Sequence, residues 1–168
     1  MNKDQYKEMP RIDAICAHPV WRESVKRTAA LERDRIFCRH DTAHFLDVAR
    51  LAYIENLERE LGLSREAIYA AALLHDIGRH LQYEQGLPHD QGSRMLAEQI
   101  LPECGFSPAE QEEILDAIAG HRAKKTGELD NLAGVIYRAD KLSRMCLFCK
   151  AEPDCNWEEE KKNRKIIK

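Results

Sequence analysis

The stretch Ala70-Ala71-Ala72-Leu73-Leu74-His75-Asp76-Ile77-Gly78 constrains the fold more than any other part of the chain. Its apolar part is far shorter than the ~20 residues that cross a bilayer, so it reads as a helix buried in a core. That helix ends on an imidazole and a carboxylate, side by side, where core packing alone would choose neither. Desolvating a carboxylate without compensation is very unfavourable, so the doublet needs partners. A divalent metal ion is one such partner. Further candidate ligands recur along the chain, namely His44, His89, His121 and Asp140, each at or near a predicted helical segment. A site assembled from several helices of a bundle has this distribution.

The remaining pattern is helical almost throughout. Pro19 suits the first turn of a helix that passes Trp21 and ends near Arg33, and Ile12, Ile15, Val20 and Val25 make this N-terminal region apolar enough to dock. A second helix is predicted from Asp41 to Leu61, ended by Gly62, with His44, Val48, Leu51 and Ala52 on one face. Ser64 is an N-cap for the next helix, which carries the doublet on its last turn, its end marked by Gly78. A looser stretch from His80 to Pro88 leads to a helix that begins near His89 and stops before Pro102. Ser107, Pro108 and Glu110 form a capping box with proline in the first position, and Ile114, Ala117, Ile118 and His121 follow along one stripe. A last helix carries Leu132, Ile136, Ala139 and Asp140. No strand pattern or internal repeat is evident, so the expected fold class is all-α. Its expected parts are an N-terminal helical extension over residues 1–35, a helical domain over 36–148 and a cysteine-containing segment over 149–168.

Composition narrows the function classes. The chain has 168 residues, 43% of them hydrophobic, enough for one domain with its own core. A net charge of -3 with interspersed signs gives no basic face for nucleic acid. The basic tail from Lys161 to Lys168 follows three glutamates and reads as a solvated terminus. The polar start Met1-Asn2-Lys3-Asp4 is not a signal peptide and no membrane span is evident, so a cytoplasmic location is expected. In that compartment six cysteines stay reduced, and metal ligation or burial accounts for them better than disulfides.

The order His44, His75-Asp76, Asp140, together with the strings HFLDVARLA, AALLHDIGR and YRADKLSR, resembles the H…HD…D signature of the HD-domain superfamily of metal-dependent phosphohydrolases. His89 and His121, between the doublet and the last aspartate, resemble the six-ligand variant that holds two metals. The resemblance implies a bundle of five core helices. It puts His44, His75, Asp76 and Asp140 on one metal, with Asp76 bridging to a second held by His89 and His121. Imidazole and carboxylate ligands suit iron(II), manganese or zinc and poorly suit calcium. Two such ions sharing a hydroxide would attack a phosphate ester or anhydride, with Asp76 orienting the nucleophile. Arg79, Lys141 and Arg144 are candidate phosphate contacts, a guanidinium being able to pair with two phosphate oxygens. His40 reads as a residue at the start of a helix, and His18 and His80 as surface or packing residues.

The ligand pattern and the HDIGR string look closest to HD hydrolases of diadenosine tetraphosphate, which implies a phosphate-bearing small molecule, a nucleotide, as substrate. The chain departs from them in its terminal cysteines. It lacks the Glu-Asp pair of the guanosine tetraphosphate hydrolases and any GYP-type string for cyclic dinucleotides. The same ligands also resemble those of diiron oxygenases, and a sensor that binds metal without turnover is the non-enzymatic reading.

Cys146, Cys149 and Cys155 form C-x2-C-x5-C, whose first pair has the spacing of many thiolate metal sites. Cys38 lies six residues before His44 and Cys146 six after Asp140, about 9 Å of helix rise in each case. On antiparallel helices both displacements point to the same end of the bundle. These four cysteines are therefore a candidate site for zinc or an iron-sulfur cluster, whereas Cys16 and Cys104 read as packing residues.

Overall fold

The structure is a computed structural model that describes residues 8–166, and its secondary structure is helical, with no strand among those residues. Prolines open the first two helices, α1 (Pro10–Ala17) and α2 (Pro19–Leu31). The N-terminal region is thus two helices. His18, the residue before Pro19, is held extended at φ -64° and ψ 131°, as steric conflict with a following proline demands, and this breaks the helix. His18 is buried and its Nδ1 accepts from the Val20 amide, capping α2. Ile12, Ile15 and Trp21 enter the core, and the Trp21 indole donates to the Leu73 carbonyl at 3.0 Å.

Helix α3 (Thr42–Glu58) is capped by Asp41, which accepts from the His44 amide at 2.9 Å. It ends three residues before the expected Leu61, because the Asn56 side chain folds back onto both backbone groups of Leu63 and stabilises a turn. Helix α4 (Arg65–Leu74), capped by Ser64, is buried on almost every side and stops one residue before the doublet. His75 and Asp76 therefore stand at and just beyond its C-terminus, not on its last turn. The stretch expected to be loose contains α5 (Arg79–Gln85), closed by Gly86 at φ 73°, a left-handed conformation that glycine adopts without strain. Helix α6 (His89–Glu103) runs past Pro102. The carbonyl that proline leaves unbonded belongs to the exposed Glu98 and can be met by water. Helix α7 (Pro108–Gly120) begins with the expected capping box, and α8 (Leu132–Leu142) with Asn131 as its cap.

Helix α4 is central. It packs against α3, α7, α8 and α6, while α3 also meets α8, and α7 joins α6 to α8, giving the bundle of five core helices. Helices α1 and α2 cover α4 and α5 from outside. Gly78 sets the closest approach. A Cβ there would meet Ser93 N at 2.3 Å and His89 O at 2.7 Å, so only glycine lets the start of α6 come against the doublet. The Gly78 amide donates to Ser93 Oγ at 2.9 Å and fixes that contact.

Beyond α8 the chain makes only one-turn 3₁₀ segments, at Cys146–Phe148, Glu152–Asp154 and Glu159–Lys161. The tail expected to be solvated folds back instead. The Asn163 amide donates to the carbonyls of Lys141, Leu142 and Arg144, the unpaired oxygens at the end of α8, and Lys162 pairs with Glu152 and Glu159. Ile167 and Lys168, the last two residues of that tail, lie outside the described residues. No described helix is long and apolar enough to cross a membrane.

Candidate metal centre

Three helices and the ends of two more bring the six candidate ligands to one place. His44 comes from the first turn of α3, His75 and Asp76 from the end of α4, His89 from the start of α6, His121 from the end of α7 and Asp140 from the last turn of α8. Their donor atoms form two sets, His44, His75, Asp76, Asp140 and Asp76, His89, His121, and within each set all lie within 4.8 Å of one another.

Asp76 belongs to both sets and offers a different oxygen to each. Its Oδ2 lies 3.4 Å from His75 Nε2 and 3.9 Å from His44 Nε2, while its Oδ1 lies 3.3 Å from His89 Nε2 and 3.6 Å from His121 Nε2. Asp140 Oδ1 completes the first set at 3.7 Å from His44 Nε2 and 3.9 Å from His75 Nε2.

The outward nitrogens decide the tautomers. His75 Nδ1 meets the Ala72 carbonyl at 2.7 Å, His121 Nδ1 the Ile118 carbonyl at 2.5 Å and His89 Nδ1 the Gln82 Oε1 at 2.8 Å. These oxygens can only accept, so each Nδ1 carries the proton. The Ser143 hydroxyl donates to the Asp140 carbonyl at 2.7 Å, which leaves it to accept from His44 Nδ1 at 3.2 Å. All four imidazoles thus turn an Nε2 lone pair inward.

The Nε2 atoms of His44 and His75 are buried without a hydrogen-bond partner, and those of His89 and His121 face each other at 3.2 Å. Lone pairs left in this state are costly unless a cation shares them. The donor set therefore fits divalent metal ions, of the kinds that imidazole and carboxylate together suit.

Electrostatics favour ligand-ready protonation states at His44, His89, Asp76 and Asp140. At His75 burial is outweighed by the carboxylates of Asp76 and Asp140, which raise the pKa until a cation takes their charge. Burial, aided by His75, pushes His44 down to about 4, and burial pushes His89 down to about 3 against the pull of Asp76. Burial opposes ionisation of Asp140, but His75 and Lys141 outweigh it and hold the carboxyl at about 2. Asp76 is likewise held well below the usual carboxylate range, its burial overcome by His75, His121 and Arg79. Neutral imidazoles and ionised carboxylates are the forms that bind metal.

A cavity of about 640 Å³ opens onto the ligands, and Arg79, Lys141 and Arg144 line it. Arg79 Nε lies 3.1 Å from Asp76 Oδ1, Lys141 Nζ pairs with Asp140, and the Arg144 guanidinium stacks on Trp157 at 3.6 Å. His40 precedes α3 rather than starting it, and its Nε2 lies 3.7 Å from Asp76 Oδ2. Its Nδ1 is 2.6 Å from Glu32, a buried carboxylate that also accepts from the His40 amide and the Tyr83 hydroxyl. Despite that burial, His40 and Tyr83 hold Glu32 ionised, at about 2.

Sequence reasoning missed Ser143, Gln82 and the Glu32–His40 pair. Ser143, three residues past Asp140, carries a local signal, since a hydroxyl one turn from a ligand can reach a carbonyl of the preceding turn. The Glu32–His40 pairing depends on a loop whose course the periodicity does not specify. His80 is buried and bonds the Ile77 carbonyl, outside both ligand sets, and Cys104 lies in the core with Cys16 packed beside it.

Comparison with known proteins agrees with this architecture. A Clostridium beijerinckii protein named only as uncharacterized is 47% identical over 158 residues, which cover 94% of this chain and 99% of that one. The crystal structure of a predicted HD superfamily hydrolase from an uncultured Thermotogales bacterium superposes with a TM-score of 0.68 at 24% identity, over 96% of this chain and 87% of that one. The HD domain model matches residues 42–145, a span that includes all six candidate ligands, and the chain belongs to the HD domain family.

Proposed function

We propose that the protein is a metal-dependent phosphohydrolase that cleaves a phosphate ester or anhydride of a nucleotide or a similar small molecule. The observation that carries this reading is the division of Asp76 between two ligand sets, one oxygen to each, at the floor of a cavity lined by cationic side chains. That arrangement supports a dinuclear centre. Two divalent ions held there supply Lewis acidity toward a phosphoryl group and an acidified water.

The residues of the chain do the rest. Arg79 and Lys141, now paired with Asp76 and Asp140, present donors that meet phosphate oxygens once the carboxylates bind metal. His40, with its Nδ1–H donated to Glu32, keeps Nε2 toward the cavity, and in its doubly protonated form gives the Nε2 proton to the leaving oxygen and takes a replacement from solvent. Phe37, Phe148 and Trp157 also line the cavity. Aromatic faces beside a cationic floor suit a nucleobase that stacks and a phosphate that pairs. The volume falls within the ~300–1,000 Å³ of small-molecule sites.

The test is phosphate release from a panel of mono- and dinucleotides by manganese- or iron-loaded protein. Turnover that vanishes in Asp76→Ala supports the reading. A loaded protein with no phosphate release, but with oxygen uptake on a phosphonate or a polyol, would overturn it in favour of an oxygenase. Metal binding without any turnover would point to a sensor.

A further inference from the structure

Four of the six cysteines play no part in the centre described above, and the fold gathers them. Cys38 lies in the loop before α3, and Cys146, Cys149 and Cys155 lie in the turns after α8. Cys38, Cys146 and Cys149 line the cavity over the ligands, and Cys38, Cys146 and Cys155 line an adjoining cavity of about 220 Å³. All four are free thiols. We propose that Cys38, Cys146, Cys149 and Cys155 hold an iron-sulfur cluster that staples the C-terminal segment to the loop entering α3.

Three observations support a ligand over plain burial. First, a packing thiol lies in apolar company, as Cys104 does, whereas none of these four is buried and three are half-buried. Second, the segment after α8 contributes only Ala151 to the buried apolar residues and leaves Leu147, Phe148 and Trp157 exposed. Its order rests on turns, Asn163, the Arg144–Trp157 stack and ion pairs of Lys162 and Arg164, of which the exposed ones are worth ~0–1 kcal/mol each. Loop-rich segments without a core are the kind that a metal centre holds in place. Third, Arg35, Arg79, Arg144 and Lys161 line the smaller cavity with the thiols. Such a cationic wall offsets the negative charge of a thiolate-ligated centre.

The thiols also sense one another. Partial burial raises the pKa of Cys38, Arg144 opposes that rise, and Cys146 and Cys149 add to it. The turn geometry suits shared ligation. The Cys149 amide donates to the Cys146 carbonyl at 3.2 Å, and the Cys155 amide to the Glu152 carbonyl at 3.1 Å, so each cysteine sits at the edge of a tight turn.

Sulfur spacing separates a cluster from a single ion. A tetrahedral zinc with ~2.3 Å bonds needs its sulfurs ~4 Å apart. Among the described residues no three of these sulfurs come within 4.8 Å of one another. In a four-iron, four-sulfide cluster each thiolate binds a different iron, which accommodates the wider spacing. Each thiol gives up its proton on binding.

The experiment is iron, zinc and acid-labile sulfide per chain on full-length protein purified without oxygen, with the His/Asp centre loaded with manganese. Iron with labile sulfide is expected. Cys149→Ser should lose the sulfide and keep its manganese, and Cys16→Ser should keep both. If Cys149→Ser fails to fold, removing the cluster from the wild-type chain should expose residues 146–166 to protease while the helical core stays resistant. Absence of labile sulfide, or zinc bound in its place, would overturn the proposal.

Discussion

Replacing Ser143 by alanine isolates the contribution of an outer hydrogen bond to metal binding. The hydroxyl accepts from His44 Nδ1 at 3.2 Å and donates to the Asp140 carbonyl at 2.7 Å, so one atom orients two ligands of the first set. Without it His44 Nδ1 loses its hydrogen-bond partner, and a half-buried N–H is left unpaired at a cost of ~1–3 kcal/mol. Loss of a partner behind a ligating histidine lowers metal affinity ~10–100-fold, or ~1.4–2.7 kcal/mol. His89 and His121 keep their own anchors, Gln82 and Ile118, so only the first set should weaken. Competition with a chelator for manganese at fixed pH reads both affinities, and circular dichroism monitors the fold. Ser107→Ala is the control, since it removes a cap worth ~1 kcal/mol at the start of α7, outside the ligand sets. Equal affinity in Ser143→Ala and wild type at both steps would refute the assignment of tautomers.

Three further outcomes follow from the same geometry. His40→Ala should lower kcat by ~10²–10⁴-fold with metal content unchanged, as expected for a proton-transfer group outside the ligand set; a loss of metal in that variant would reassign His40 as a ligand. Gly78→Ala should lower stability by ~1–3 kcal/mol in chemical denaturation, because its methyl meets the backbone of α6, and an unchanged midpoint would contradict that close approach. Metal-free protein should lose stability as pH falls from 6.5 toward 4. Over that window the unfolded chain protonates at His44 and His89 while the folded chain, with the two at about 4 and about 3, does not. At ~1.4 kcal/mol per unit this amounts to ~3 kcal/mol from each. The depressed carboxyl of Asp140 adds to the loss only below its ordinary 3.8. A thermal midpoint that stays flat between pH 7 and 4.5 would contradict the burial of a neutral His44.

The six candidate ligands could be read from the sequence because each lies on or beside a periodic apolar stripe, where a polar side chain without a partner is conspicuous. The caps at Ser64 and Ser107 were legible for a similar reason, as their signals lie within four residues. What escaped depends on distant approaches. Helix α5 has seven residues, too few for a period, and is held by contacts with α2 and α6. The Glu32–His40 pair joins the end of α2 to the loop before α3, and the C-terminal tail is fastened by Asn163 reaching back over about 20 residues. Neither leaves a mark in local composition. The break at His18 was legible in principle, since Pro19 excludes the helical conformation from the residue before it.

The sharing of Asp76 is the central claim, and manganese stoichiometry tests it most directly. Apo protein titrated with manganese should bind two ions per chain, His89→Ala should keep one of them, and Asp76→Ala should lose tight binding of both, because its two oxygens serve different ligand sets. A wild-type chain that saturates at a single ion, or an Asp76→Ala variant that still binds two, would contradict the account.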